Sequence, residues 1–253
     1  MGKSELQRQR EFLQDRLRLS IDFRRTDQNQ GVAPPPLQKP PRPEQHLIPL
    51  PRPEELNMFA GTDLIAAIGR RRSHRRFKPQ PLTLPELALL LWATQGVQEV
   101  LAPGTALRTV PSAGCRHAFE TYLLITQVED VAPGLYRYLP VEHALVCERL
   151  MEPAQLGAAL VPATLNQRFV ASAPVTFAWT TLPYRMEWRY HLAAHRVIAI
   201  DAGHLCQNLY LVCEAIHAGT CAIAAYNQDL MDQLLGVDGE EEFCIYLAPV
   251  GKV

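Results

Sequence analysis

The apolar positions of this chain change rhythm several times, and each rhythm predicts a different element. Residues 4–20 set Leu6, Phe12, Leu13, Leu17 and Leu19 among charged neighbours, the pattern of a charged amphipathic helix. From Val32 to Glu54 the periodicity disappears, and nine of the chain's 21 prolines fall there. Such a stretch is an extended, polyproline-like arm, stiff and poor in internal hydrogen bonds. It either stays loose or lies across another surface, with Leu47, Ile48, Leu50 and Leu56 as anchor points. The pattern becomes that of a globular domain at about residue 57, which divides the chain into a helix and arm (1–56) and a main domain (57–253).

Within that domain, Thr62 or Asp63 can cap a short helix that runs into "RRRSHRRFKP". "TLPELALLLWATQG" predicts a helix with Thr83 as N-cap, Glu86 closing a capping box and Gly96 ending it. Residues 119–128, 134–139 and 144–150 are aromatic and aliphatic runs bounded by Pro and Gly, and residues 174–183 resemble them; all four read as strands. Residues 187–218 form one long helical pattern, apolar almost all round between Val197 and Ile216, which predicts a buried central helix. Residues 220–226 read as a strand, Asn227 caps a short helix ending at Gly236, and residues 242–251 form the last strand. Interspersed helices and strands with hairpin-like pairs predict an α+β or mixed α/β architecture.

Composition narrows the class. The chain has 253 residues, a net charge of −1, 47% hydrophobic and 20% charged residues, the profile of a soluble globular protein. The basic cluster at residues 70–79 is therefore local, and no general positive excess points to nucleic acid. Asp201, His204, Gln207, Asn208 and Glu214 interrupt the apolar helix, which argues against a membrane span. The six cysteines form no zinc-type spacing, and the charged start has no signal-peptide apolar core, so a cytoplasmic location is expected.

Two stretches carry candidate chemistry. In an extended segment Arg71, Ser73 and Arg75 share one face, and two guanidinium forks with a hydroxyl suit a phosphate monoester. A solvated helix end, where cations favour the macrodipole, accounts for them equally well. The tetrapeptide "PSAG" (Pro111, Ser112, Ala113, Gly114) is a turn of small residues before a strand, open to close approach by a flat ligand or simply a loop.

Six blocks in one order, "RRSHRRF", "PLTLPELALLLWATQGV", "RTVPSAG", "GLYRYLP", "DAGHLCQNLYLVCEAIHAGTCAIAAY" and "GVDGEEEFCIYLAPVGKV", resemble the flavin-dependent nitroreductase superfamily across residues 61–253. The branch they look most like contains the dehydrogenases that oxidise peptide azolines to azoles. The resemblance implies a nitroreductase-type α+β fold, a mainly antiparallel sheet flanked by helices with a long buried central helix. It implies an FMN-dependent oxidoreductase, a homodimer with flavin at the subunit interface, and a small or peptidic substrate. Carried over, Arg71, Ser73 and Arg75 hold the FMN phosphate, and Lys252 adds a second contact. Pro111, Ser112, Ala113 and Gly114 border the isoalloxazine ring, and Ala222, Ile223, Ala224 and Ala225 line its other side. Many relatives have a glycine where Ala224 and Ala225 stand, and many extend past the last strand to embrace the partner subunit. Here the N-terminal arm is expected to take over that task.

Where azoline dehydrogenases carry a Lys-Tyr pair facing the substrate, this chain reads Arg189-Tyr190. Arginine is a poor general base, but it can clamp a carboxylate; tyrosine can still donate a proton. Packing at a helix start is the plainer role for Trp188 and Tyr190. Glu187, His191 and His195 fall at i, i+4, i+8, a permissive but drifting metal-ligand spacing, and no metal site is expected from it. Asp201, His204 and Asn208 read as a satisfied hydrogen-bond network. Cys115, just after the turn, has no evident activating partners. No GxGxxG fingerprint occurs, so NAD(P)H, if it is the donor, binds transiently over the flavin. Two other classes stay open: a flavin-binding protein without turnover, serving as sensor, carrier or partner subunit, and a metal-dependent hydrolase built on Glu187, His191 and His195.

Overall fold

A computed structural model describes residues 4–59 and 61–253. The first three residues of the charged start and Ala60 lie outside the described residues.

The predicted helix over 4–20 is shorter than its pattern. Helix α1 spans Glu5–Glu11, opened by a Ser4–Gln7 capping box, and a separate 3-10 turn covers Asp15–Ser20. Between them the bonds tighten to i→i−3, and Gln14 is extended. None of the α1 side chains is buried, so packing does not sustain a longer helix. The proline-rich arm contains a short strand, β1 (Leu47–Pro49). Helix α2 (Leu64–Arg70) is capped by Asp63, whose Oδ1 accepts from Ala66 N. Helix α3 (Leu84–Gln95) has the expected Thr83–Glu86 capping box and ends at Gly96.

A hairpin that the pattern did not predict follows, β2 (Val97–Ala102) and β3 (Thr105–Arg108), turning through Gly104 at φ +65°. Strands β4 (Phe119–Ile125), β5 (Gly134–Leu139) and β6 (Ala144–Leu150) match the predicted runs. Helix α4 (Pro153–Ala163), also unpredicted, precedes β7 (Val175–Thr181). The long helical pattern then breaks in two: α5 (Tyr184–Tyr190) and α6 (Ala194–Ala215) flank a 3-10 turn at His191–Ala193. The break sits at His191, whose φ of 50° and ψ of −136° no helix accommodates. Strand β8 (Ala218–Thr220), helix α7 (Gln228–Leu235), capped by Asn227, and strand β9 (Phe243–Lys252) complete the chain.

Seven strands form one antiparallel sheet in the order β1-β6-β5-β4-β7-β9-β8. Period-two alternation sorts its side chains onto two faces. Phe119, Leu123 and Ile125 of β4 join Phe177, Trp179, Tyr136 and Tyr138 in a core shared with α3 and α6. Tyr122 and Leu124 face the other way, into a second core with α4 and α7. The sheet is thus held between two helical layers. Helix α6 is buried along Ile198, Ala202, Leu205, Leu209 and Cys213, but not all round: Ala199, Ile200, Gly203, His204 and Gln207 are exposed. The expected apolar-all-round burial is corrected to one buried face.

The arm lies across its own chain. β1 pairs with β6, Lys39 N donates to Glu120 Oε1 (2.8 Å), and the Arg137 guanidinium donates to the carbonyls of Lys39 (2.7 Å) and Pro40 (3.3 Å). Further back, Gln28 N donates to Trp188 O (2.9 Å) and Trp188 Nε1 to Val32 O (2.9 Å), so the arm also pins α5. Among the described residues no helix is long and apolar enough to cross a membrane. The six cysteines are free.

Candidate functional site

Helix α6 organises the candidate residues, because two of its side chains reach the two predicted stretches. Asp201 reaches the 111–114 turn. Its Oδ2 accepts from Ala113 N (3.2 Å), and the Ser112 hydroxyl also bonds to it. Burial raises the Asp201 pKa, and the bonds from Ser112 and Ala113 work against that rise. Ser112 Oγ in turn accepts from His117 N (3.0 Å). Gly114 closes the turn at φ +61°, and a Cβ there would lie 2.6 Å from Tyr190 Oη and 2.8 Å from Arg189 Nε. Only glycine allows so close an approach in that conformation. The structure therefore brings Ser112, Ala113 and Gly114 together with Arg189 and Tyr190, pairs that are more than seventy positions apart in sequence.

Tyr210 reaches the other stretch. Helix α2 ends at Arg70, and the chain then runs extended beside β8: Ser73 bridges Thr220 in parallel fashion, and His74 N donates to Thr220 O (2.9 Å). Tyr210 Oη accepts from Ala222 N (2.8 Å) and lies 3.0 Å from Ser73 Oγ. Having accepted from Ala222, the phenol is free to donate to Ser73, which leaves the serine proton available to a ligand. The Arg71 guanidinium sits 5.3 Å from the centre of the Tyr210 ring, and that of Arg75 sits 6.0 Å from Phe169. Arg70 pairs with Glu214 (3.2 Å), whereas among the described residues Arg71 and Arg75 have no carboxylate partner. Ser73 and Arg75 are exposed and Arg71 is half-buried. Phe77 packs beside Gly251.

The segment 220–226 is not the strand its composition predicts. Only Ala218–Thr220 joins the sheet, because the Ala222 N–H is taken by Tyr210 instead of a neighbouring strand. Ile223 rejoins β9 by a single bridge to Leu247, with bonds of 2.8 and 3.1 Å. Ala222 is half-buried, Ile223 buried, and Ala224 and Ala225 are exposed, with Gln167 Nε2 donating to Ala225 O (2.8 Å). Lys252 is engaged elsewhere: its ammonium pairs with Glu86 at the start of α3 and donates to Ile216 O (2.6 Å). To contact a phosphate it would have to leave both.

The remaining candidates separate. Glu187 Oε1 and His195 Nε2 are 2.7 Å apart across the α5–α6 break, while His191 is exposed at the turn between them. Among the described residues no group of three or more His, Cys, Asp or Glu is placed to hold a metal ion. Asn208 Nδ2 donates to Ala93 O (2.9 Å) and tethers α6 to α3, whereas His204 Nδ1 lies 3.8 Å from Asp201, beyond hydrogen-bond distance, so the three residues do not form one network. Cys115 is half-buried at φ 54°.

Tyr210 is the residue that sequence reasoning missed. A tyrosine in the apolar-rich second half of α6, nine positions after an aspartate, is the available signal. Nine residues of helix span roughly 14 Å, which sets the distance between the two ends of the site. One end offers two guanidinium groups without a carboxylate partner among the described residues and a hydroxyl; the other offers a half-buried small-residue turn flanked by Arg189 and Tyr190. This donor set fits an elongated ligand with a phosphate at one end and an aromatic ring at the other, as FMN is.

Comparisons with known proteins agree with this geometry. The family model described as the nitroreductase family matches residues 68–252. A Methanocaldococcus jannaschii protein that carries a nitroreductase name is 32% identical over 183 residues, covering 72% of this chain and 87% of its own. A Ralstonia eutropha structure, also under a nitroreductase name, superposes with a TM-score of 0.67 at 26% identity, over 87% of this chain and 97% of that one. A chain of the E. coli microcin synthetase McbBCD complex, solved with truncated pro-MccB17 bound, shares the fold at a TM-score of 0.59 and 17% identity. That match covers 100% of this chain and 98% of the other.

Proposed function

We propose that this chain, which belongs to the nitroreductase family, is an FMN-dependent oxidoreductase whose flavin lies along α6. The observation that carries the reading is the double reach of that helix, Tyr210 to Ser73 and Ala222 at one end and Asp201 to Ala113 at the other. When bound, FMN supplies reversible two-electron chemistry at its N5. The protein's own contribution is binding, orientation and proton supply. Arg71 and Arg75 offset the phosphate charge, and the Ser73 hydroxyl donates to it. Pro111, Ser112, Ala113 and Gly114 border one side of the ring, and Ala222, Ile223, Ala224 and Ala225 the other. Arg189 and Tyr190 face the space beside the turn, where Tyr190 is placed to give a proton and Arg189 to hold negative charge.

The exposed Ile200 (47%) and Leu192 (49%) beside Ala199 and Gly203 support a homodimer built on this face of α6. NAD(P)H is proposed as a transient donor and a small or peptidic compound as the other substrate. A second reading, a flavin-binding subunit without its own turnover, draws support from the McbBCD likeness. That likeness spans the arm as well as the main domain, whereas the family match begins at residue 68.

The visible spectrum of the purified protein, before and after anaerobic NADH or NADPH, tests these readings. Released FMN and bleaching by a nicotinamide are expected. A yellow protein that no donor bleaches favours the second reading. A colourless protein that cannot be reconstituted with FMN overturns both.

A further inference from the structure

Arg189 differs from the other arginines near the 111–114 turn. Arg108 donates to Gln95 Oε1 (2.7 Å) and Leu37 O (2.8 Å). Arg116 donates to Thr105 Oγ1 (3.1 Å) and Arg185 O (3.3 Å), and Arg185 is bound to Glu120. All three are buried and each makes two or more hydrogen bonds or ion pairs within the protein, although Arg108 Nε and Arg116 Nη2 have no hydrogen-bond partner. Arg189 is half-buried and makes one hydrogen bond, from Nη1 to Gln28 Oε1 (3.2 Å). A guanidinium carries five N–H donors, so most of this fork is unused. It leans over Tyr190, 5.6 Å from the ring centre, and flanks Gly114. The surroundings are positively charged. Burial lowers the Arg116 pKa, and the charges of Arg189 and Arg185 lower it further. The nearby Glu120 carboxylate is already shared by Arg185, Arg137 and Lys39 N. A negative group placed at Arg189 would relieve this repulsion and fill the open fork.

We infer that Arg189 is a specificity-determining residue that selects substrates bearing a carboxylate beside the group that reacts. The inference rests on the flavin reading above, since it needs a reacting group over the turn. Bidentate pairing with a carboxylate is what the planar fork does best and what a lysine at the same place would do less well. Gln28 is a positioning residue. The arm holds it through Gln28 N to Trp188 O, and the neighbouring Asp27 accepts from Tyr184 Oη (2.7 Å). The segment just before the proline-rich arm thereby sets the direction of a side chain in the substrate space.

The experiment compares benzoate with its uncharged analogue benzamide, each titrated into the FMN-loaded full-length protein and followed by flavin difference spectra. FMN content is measured first. Benzoate is expected to bind about tenfold or more tightly than benzamide, the scale of a charge-assisted hydrogen bond. Arg189→Gln should bring the ratio close to one, and Arg189→Lys should leave it in between, which also guards against a glutamine variant that folds poorly. Gln28→Ala should lower the ratio in the wild-type background and leave it unchanged in the Arg189→Gln background. Equal binding of the two ligands by the wild type, or a preference that survives Arg189→Gln, overturns the inference while leaving the flavin reading intact. A protein that takes up no FMN overturns the flavin reading itself, and the inference with it.

Discussion

The protein contains two groups of arginines that do opposite work. Arg71 and Arg75 lie in one short run of sequence, reach solvent and have no acidic partner among the described residues. Arg108, Arg116, Arg137 and Arg185 are scattered over nearly eighty positions, yet they converge beneath the arm and are buried. There the charges of Arg137 and Arg185 are met by carboxylates, while Arg108 and Arg116 are met by side-chain and backbone oxygens. Glu120, 2% exposed, bridges Arg137 and Arg185, and Glu148 takes the Arg137 Nε at 2.9 Å. Burial opposes the charge on Arg137, but these carboxylates hold its pKa above the usual arginine value. A buried cation without such partners is costly, and burial accordingly lowers the pKa of Arg116 and brings that of Arg108 to about 10. The contrast teaches that crowding in sequence marks charge left for a ligand, whereas crowding in space marks charge already spent on the fold.

Three experiments would break or sharpen that contrast. The largest effect is expected from Glu120→Gln, which leaves Arg137 and Arg185 facing each other with one fewer negative charge. A loss of roughly 3–5 kcal/mol, the usual consequence of breaking a buried pair, should appear as a lower urea midpoint. An unmoved midpoint would mean that Glu148 and the arm carbonyls suffice. Next, Arg75→Ala should weaken FMN binding by roughly ten- to a hundredfold, the worth of a hydrogen bond to a charged group, without shifting the melting temperature of the apoprotein. The reverse outcome would move Arg75 into the structural group.

The smallest effect belongs to His117, buried beside the second group. Burial, and then the neighbouring charges of Arg108, Arg116 and Arg185, push its pKa down to about 3. Its folded pKa lies below the unfolded value, so the contribution to stability is present above pH 6.5 and is lost as the pH falls. Between pH 6.5 and 5.5 that loss should reach about 1 kcal/mol. It should vanish from the pH dependence of the melting temperature in His117→Gln.

Much of this organisation was legible in the sequence. Thr83, Glu86 and Gly96 mark α3 from end to end, and Ser73 runs beside β8, where it and Arg71 meet Tyr210. What escaped was set by contacts between distant positions. The helical pattern over 187–218 does not reveal the turn at His191, because apolar spacing continues through it while the backbone does not. Composition favoured a strand at 220–226, but the phenol of Tyr210 claims a peptide group there. The buried network did leave a trace. Glu120 and Arg137 each interrupt an apolar strand buried along its whole length, and a charge in such a run must have a partner. Sequence alone does not say that the partners of Arg137 include carbonyls of the proline-rich arm.

The two rims of the sheet have a consequence for the crowded protein. Each ends in a strand of three residues, β1 and β8. On β1 the last residue is Pro49, with Pro51 and Pro53 close behind, and the free side of β8 is touched by Ser73. Neither rim offers a row of open peptide groups long enough to template another chain. Fibril growth by strand addition therefore has no starting edge at either rim of the seven-stranded sheet, and the arm supplies the short strand that closes one of them.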